Sequence, residues 1–323
     1  MESTGSSTTR LPPQALRTQG TVAAVSPQMH VVLDLVRRLA ASDVTVTVLG
    51  ETGSGKDVVA HSIHEKSKRA KGPFVVFDCG AVPPNLIERE LFGHEKGSFT
   101  GAHADHIGAF ESAQEGTLFL DEIGELPLDL QPRLLRAVDN RCVRRLGGTK
   151  DRLIDVRIVA ATNRDLATAV GAKQFRQDLY FRLAAAVIHL PPLRERLEDL
   201  PLLVARLLCD LGRGEVTVAP GTYEVLGSHM WPGNVRELKN TLACALAFAD
   251  QDVLEPHHIR FVESTAEINA LERLPLGGQS LESLERIAIK QTLSQTRGNK
   301  VHAARVLGIA ASTLYEKLKR YGI

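Results

Sequence analysis

The chain has 323 residues, 43% hydrophobic and 24% charged, with a net charge of +1. These proportions fit about two globular domains and exclude wholesale disorder. No apolar run reaches the roughly 18 residues of a membrane helix, and the first 20 residues lack the apolar core of a secretory signal.

Residues 1–22, rich in Ser, Thr, Pro and Gln, read as a flexible leader. Strand-length apolar runs follow at 44–49, 74–77, 117–120, 156–161 and 186–190. Helical periodicity fills the gaps, as at 126–139 and 164–182. This alternation predicts an α/β subdomain over 23–193, its mostly parallel sheet covered on both faces. From 194 to 262 strand runs give way to helical patterns. Residues 263–280 contain Pro275, Gly277 and Gly278 and read as a linker. Residues 281–323 form a small helical module with eight basic and three acidic side chains, net +5, which leaves −4 for the rest. A polyanion is the expected partner of that module. Cys79, Cys142, Cys209 and Cys244 form no CxxC pair. A disulfide scaffold and a structural zinc site are disfavoured, and a cytoplasmic location fits.

The first apolar strand runs into GETGSGKD, Gly50–Asp57, with a helical pattern behind it. This is the context of a phosphate-binding loop. Gly50, Gly53 and Gly55 permit a tight turn that aims backbone N–H groups at phosphate oxygens, and Glu51, Thr52 and Ser54 complete the cradle. Lys56 reaches the β- and γ-phosphates. Asp57 stands where Ser or Thr usually meets magnesium. The third strand ends in two carboxylates, within GTLFLDE (Gly116–Glu122). Asp121 is the candidate Mg²⁺ ligand, and Glu122 is the candidate general base for an attacking water. The fourth strand ends at Asn163, placed to orient that water or sense the γ-phosphate. ATP and Mg²⁺ are the expected cofactors.

Between these motifs lies ELFGHEKGSFTGA, Glu90–Ala102. Here the sequence resembles the NtrC-like AAA+ activators that work with sigma-54 RNA polymerase, over about 23–262 and again over 281–323. The resemblance implies an AAA+ P-loop ATPase with a helical lid over 194–262, followed by a Fis-type helix-turn-helix domain. GSFTGA matches the family's GAFTGA loop, so Gly97, Ser98, Phe99, Thr100, Gly101 and Ala102 become the expected sigma-54 contact. An acidic residue after the P-loop lysine is common in this family, which accommodates Asp57. FRQDLYFRL (Phe175–Leu183) places Arg176 and Arg182 at the positions of two arginines that reach a neighbouring subunit's nucleotide. LPPLRERLEDLP (190–201) matches the turn into the lid, and WPGNVRELKN (231–240) matches the sensor II segment with Arg236 as the cis arginine.

Two departures bear on mechanism. Ser98 replaces the loop's usual alanine. Asp78 stands where the family usually has an asparagine that pairs with the catalytic glutamate. A carboxylate donates no hydrogen bond unless protonated, and beside Glu122 it repels that charge. Altered control of basal ATP hydrolysis is expected.

In GNKVHAARVLGIAASTLYEKLKRYGI (298–323), Ala303, Ala304 and Leu307 share an apolar face and Gly308 permits a turn. Ser312 or Thr313 is expected to cap the next helix, which buries Leu314 and Leu318 and exposes Lys317, Lys319 and Arg320. By resemblance Ala311, Ser312, Thr313, Tyr315, Lys317, Lys319 and Arg320 become the expected DNA contacts. The family often has basic residues where Ala311 and Glu316 stand, so weaker DNA binding is expected. His94, His103 and His106 read as structural or surface residues.

The resemblance implies a homo-oligomeric ring, typically a hexamer, that binds enhancer double-stranded DNA. Through ATP hydrolysis it remodels the closed complex of sigma-54 RNA polymerase holoenzyme. The family usually carries a receiver or sensor domain ahead of the ATPase, for which residues before 23 leave no room. The expectation is a short form controlled by a regulatory protein in trans, or a truncated chain. A regulator acting by DNA occupancy and a remodeller of other clients are the rival readings.

Overall fold

A computed structural model of the chain describes residues 24–98, 103–249, 252–261 and, further on, 285, 286, 288, 289, 292, 300, 303, 304 and 307–321. The expected leader, the linker and the loop residues Phe99–Ala102 lie outside the described residues. The chain divides into two compact units, Met1–Val262 and Glu263–Ile323.

The first unit is built on a five-stranded parallel sheet: β1 (Val46–Leu49), β2 (Phe74–Asp78), β3 (Thr117–Asp121), β6 (Arg157–Thr162) and β7 (Ala186–His189). Their spatial order is β2-β3-β6-β1-β7. Alternate residues of each strand feed opposite faces. Leu118 and Leu120 of β3 and Ile158 and Ala160 of β6 pack against α3 (Pro84–Phe92), α5 (Gln131–Asn140) and α7 (Gln177–Leu183). Phe119, Val159 and Ala161 face the other way, toward α1 (Pro27–Ala40) and α2 (Lys56–Glu65). Each fully buried Val, Ile or Leu contributes about 1.5–3 kcal/mol, so this two-sided burial holds the register. Arg157 is buried at the start of β6. Its guanidinium donates to the carbonyls of Leu39 (2.8 Å) and Ala40 (3.2 Å), and so satisfies the C-terminus of α1.

The helical periodicity of 126–139 yields a helix only from Gln131. Pro127 and a turn precede it, and the Gln131 amide donates to the carbonyls of Leu126 (3.1 Å) and Gln174 (3.3 Å). The pattern over 164–182 splits into α6 (Leu166–Gly171) and α7, with Lys173 in a left-handed turn between them. A short antiparallel hairpin, β4 (Cys142–Val143) with β5 (Arg152–Leu153), was not expected from the sequence.

After β7 the chain enters three lid helices, α8 (Leu200–Asp210), α9 (Pro220–Gly227) and α10 (Asn234–Phe248). A two-residue parallel pair, β8 (Thr217–Val218) with β9 (Val253–Leu254), interrupts the helical pattern expected there. The lid core centres on the fully buried Trp231, whose indole N–H donates to the Leu226 carbonyl at 2.9 Å. The buried carboxylate of Asp199 accepts from the amides of Val25 (2.6 Å) and Ser26 (2.7 Å) and from the Ser26 hydroxyl (2.8 Å). The lid entry thereby caps the N-terminus of α1.

Candidate functional site

In an open parallel sheet, ligands bind at the carboxyl ends of the strands. The loop after β1, the carboxylates after β3 and the end of β6 all lie there. Gly53 (φ 76°) and Gly55 (φ 99°) are left-handed, and α2 begins at Lys56 directly behind them. Gly53 also leaves no room for a side chain: a Cβ would lie 2.4 Å from the Gly233 carbonyl oxygen. Lys56 is almost wholly buried. Its three donors have three partners: the carbonyls of Gly50 (3.1 Å) and Glu51 (3.4 Å) and the Glu122 carboxylate (3.2 Å). Asp57 is exposed on α2.

Glu122 sits in the left-handed region (φ 46°). Such strain in a non-glycine residue concentrates where a side chain must be aimed. Its second oxygen accepts the Asn163 amide at 3.1 Å, and the Asn163 side chain donates to the Thr52 hydroxyl at 2.9 Å. Lys56, Glu122, Asn163 and Thr52 therefore form one chain of contacts across the strand ends. The Asp121 carboxylate accepts the Glu122 amide at 3.0 Å. Burial holds the Asp121 pKa above the usual carboxylate value, with the Glu122 and Asp78 charges adding to the shift. Asp78 pairs in register with Asp121, and its Oδ1 accepts the amides of Gly80 (2.8 Å) and Ala81 (3.1 Å). Between these acids, burial and the charges of Asp78, Asp121 and Glu122 push the Cys79 thiol up to about 12, which keeps it an unreactive thiol.

The lid approaches the same loop from behind. The Arg236 amide donates to the Gly53 carbonyl at 3.2 Å, which places the expected sensor II residue against the P-loop. Three further residues join it that the sequence did not single out. Arg194 forms a bidentate pair with Glu51 (2.7 and 2.9 Å), which holds the Glu51 pKa below its usual value. Asn234 and Arg196 contact the loop as well. Their signal lay inside the two lid segments matched above, but the pairing spans 140 or more residues and is not readable locally.

Arg176 pairs with Asp178 (3.0 and 2.7 Å), and Arg182 pairs with Asp139 at 2.6 Å. Both sit on or beside α7 with substantial exposure. Within this single chain they stand with these acids and not with Lys56 or Glu122.

The stem of the 97–102 loop is closely held. His94 and His106 exchange backbone hydrogen bonds (3.1 and 2.9 Å), and Glu95 donates to the Leu146 carbonyl at 3.0 Å. Arg145 clamps the stem by a bidentate pair with Glu111 (2.7 and 2.8 Å) and reaches Asp105 at 3.4 Å. Gly97 has φ 82°, and Ser98 lies so close to Gly147 that a Cβ there would be 2.5 Å from the Ser98 Cβ. The His106 ring contacts Glu90 at 3.1 Å, a structural role within the stem.

In the second unit, Ile289, Ala303, Ala304, Leu314 and Leu318 form a small core. Gly308 is left-handed (φ 68°), as its turn requires. The following helix, α11 (Ala311–Tyr321), starts before the expected caps: the Leu314 amide already bonds to the Ala310 carbonyl at 3.1 Å. Ser312 and Thr313 therefore lie in the first turn. The expected exposure of Lys317 also needs correction. It is half-buried, and its ammonium pairs with Glu285 at 2.5 Å, the same carboxylate that accepts the Tyr321 hydroxyl at 2.6 Å. Tyr315, Glu316 and Arg320 are exposed, and Lys300 lies 5.3 Å from the Tyr315 ring centre. The side chains of Ala311, Ser312 and Lys319 lie outside the described residues.

Comparison with known proteins matches this arrangement segment by segment. Residues 22–189 match the sigma-54 interaction domain, 194–270 the AAA+ ATPase lid domain, and 280–321 the Fis family of bacterial regulatory proteins. The response regulator protein PilR of Pseudomonas aeruginosa is 43% identical over 309 residues, covering 92% of this chain and 69% of PilR. The DNA-binding transcriptional regulator NtrC of Escherichia coli is 42% identical over 325 residues, covering 92% of this chain and 69% of NtrC. Among solved structures, NtrX of Brucella abortus in complex with ATP superposes with a TM-score of 0.68 at 30% identity, covering 96% of this chain and 71% of that one. The chain belongs to the family of sigma-54-dependent transcriptional activators, with an AAA+ P-loop domain, an AAA+ lid and a Fis-type DNA-binding helix-turn-helix.

Proposed function

We propose that this protein hydrolyses ATP at the Gly50–Asp57 loop and uses the cycle to remodel sigma-54 holoenzyme at promoters. The observation that carries the reading is the continuous contact chain Thr52–Asn163–Glu122–Lys56 at the carboxyl ends of β1, β3 and β6. Lys56 binds the β- and γ-phosphates and in doing so gives up Glu122. Glu122 then accepts the proton of the attacking water, and Asn163 orients that water. Asp121 would hold Mg²⁺ through its carboxylate at the end of β3, where one oxygen accepts the Glu122 amide and oxygen donors suit this cation. The chemistry such an ion would supply is charge neutralisation on the phosphate oxygens. Gly50, Glu51, Ser54 and Arg236 frame the nucleotide.

The ring is a homo-oligomer, a hexamer by family type. Arg176 and Arg182 act on the neighbouring subunit's nucleotide once they leave Asp178 and Asp139. The stem at 93–97 and 103–106 carries the loop whose Phe99 and Thr100 engage sigma-54, while residues 281–323 hold enhancer DNA. Asp78 places a carboxylate in register with Asp121 where the family usually has an asparagine, from which altered control of basal hydrolysis follows.

Steady-state ATP hydrolysis by the assembled chain tests the chemical half of this reading. Glu122→Gln should lose about 100-fold or more in kcat, the usual contribution of a positioned general base, while still binding ATP. Unchanged turnover in Glu122→Gln would remove Glu122 from the role of base.

A further inference from the structure

A phosphate-binding loop works by turning its N–H groups inward, which sends its carbonyls outward, where they need donors of their own. In this chain the lid supplies those donors in order. The Thr52 carbonyl accepts the Asn234 side-chain amide (3.2 Å), the Gly53 carbonyl accepts the Arg236 backbone amide (3.2 Å), and the Ser54 carbonyl accepts the Arg196 guanidinium (2.7 Å). The carbonyls of Gly50 and Glu51 are taken by Lys56.

Asn234 is the centre of this arrangement. It is fully buried and left-handed (φ 54°). Its side-chain oxygen accepts the Leu193 amide at 2.7 Å, which orients its NH₂ toward the Glu51 carboxylate (3.0 Å) and the Thr52 carbonyl. Glu51 is held in turn by the bidentate Arg194 pair. Gly53 completes the fit, since the Gly233 carbonyl occupies the space of a side chain.

We propose that Asn234, Arg194 and Arg196 are positioning residues for phosphate binding: the lid braces the carbonyl side of the P-loop, so that lid position and phosphate cradle change together. This rests on the reading of Gly50–Asp57 as the nucleotide site. None of the three residues needs to touch the nucleotide. The brace gives the lid a route to the phosphates separate from Arg236.

Binding of a fluorescent ADP analogue by the full chain, read beside the melting temperature of the nucleotide-free protein, tests the brace. Asn234→Asp keeps the size and the Leu193 acceptor but turns an oxygen toward Glu51 and Thr52. It should weaken ADP binding by about tenfold or more, as expected for losing charge-assisted hydrogen bonds. Adding Glu51→Gln to Asn234→Asp restores a donor facing an acceptor and should recover part of that loss. Arg194→Gln breaks a partly exposed pair of small stability value, so it should weaken ADP binding several-fold with little change in melting. Should Asn234→Asp fail to fold, Arg194→Gln carries the test alone. Wild-type affinity in the variants overturns the brace. Loss of affinity only in parallel with melting, with no recovery in the double variant, overturns it too. A wild-type protein that binds no ADP overturns the nucleotide-site reading instead, and the brace with it.

Discussion

The two functional regions are built on opposite principles. At the strand ends of the first unit the working side chains are fully engaged: Lys56 has three partners, both oxygens of Glu122 are taken, and Asn163 joins the two loops. In the proposed mechanism, function there depends on exchanging one set of partners for another. In the second unit a core of a few small and branched residues carries a helix whose Tyr315, Glu316 and Arg320 face solvent. Function there depends on charge and shape presented to a partner. A network of linked side chains transmits a change, while an exposed helix face docks.

On that contrast, the larger effects belong to the strand-end site. Asp121→Asn should abolish nucleotide-dependent stabilisation by MgATP while raising the melting temperature of the empty protein at neutral pH. The sign follows from the raised Asp121 pKa. Between its unfolded and folded pKa values the native state binds the extra proton, so this group's contribution falls as pH rises through that window. The asparagine variant should therefore lose that part of the acid-side pH dependence. A melting temperature at neutral pH below that of wild type would contradict the account.

The smaller effect belongs to the second unit. Lys317 is already neutralised by Glu285. Lys317→Gln should thus change the salt dependence of enhancer-DNA binding by well under the slope of about 0.9 that each phosphate contact contributes. A full loss of one contact in a salt titration would show that Lys317 leaves Glu285 for the phosphates, and the two regions would then share the partner-exchange principle.

How much of this was legible follows from sequence distance. The central strands β1, β3 and β6 announced themselves because parallel strands buried on both faces are largely continuous apolar runs, and the edge strands β2 and β7 because theirs are short apolar runs between helical patterns. Only their ends moved, as at β1, which begins at Val46 and not at residue 44. The P-loop segment and the Asp121–Glu122 pair were legible as motifs because each is contiguous, eight and two residues long. The hairpin β4–β5 and the pair β8–β9 are two residues per strand, too short for any periodicity. The helix over 126–139 was overextended because Leu126 fits the apolar spacing while its backbone is extended (φ −63°, ψ 123°). The caps at Ser312 and Thr313 were misplaced because alanines favour an earlier start, and the Glu285–Lys317 pair joins segments 32 residues apart. The lid brace was illegible for the same reason on a larger scale: Asn234 and Glu51 are 183 residues apart.

In the proposed cycle, hydrolysis at the Glu122 site drives the 97–102 loop against sigma-54. The most direct measurement is ATP-dependent open-complex formation by sigma-54 holoenzyme on supercoiled promoter DNA, comparing wild type with Thr100→Ala and following ATP hydrolysis in the same reactions. The account predicts that wild type opens the promoter and that Thr100→Ala hydrolyses ATP without opening it. Equal opening by the two proteins, or hydrolysis by wild type with no opening at all, would contradict it.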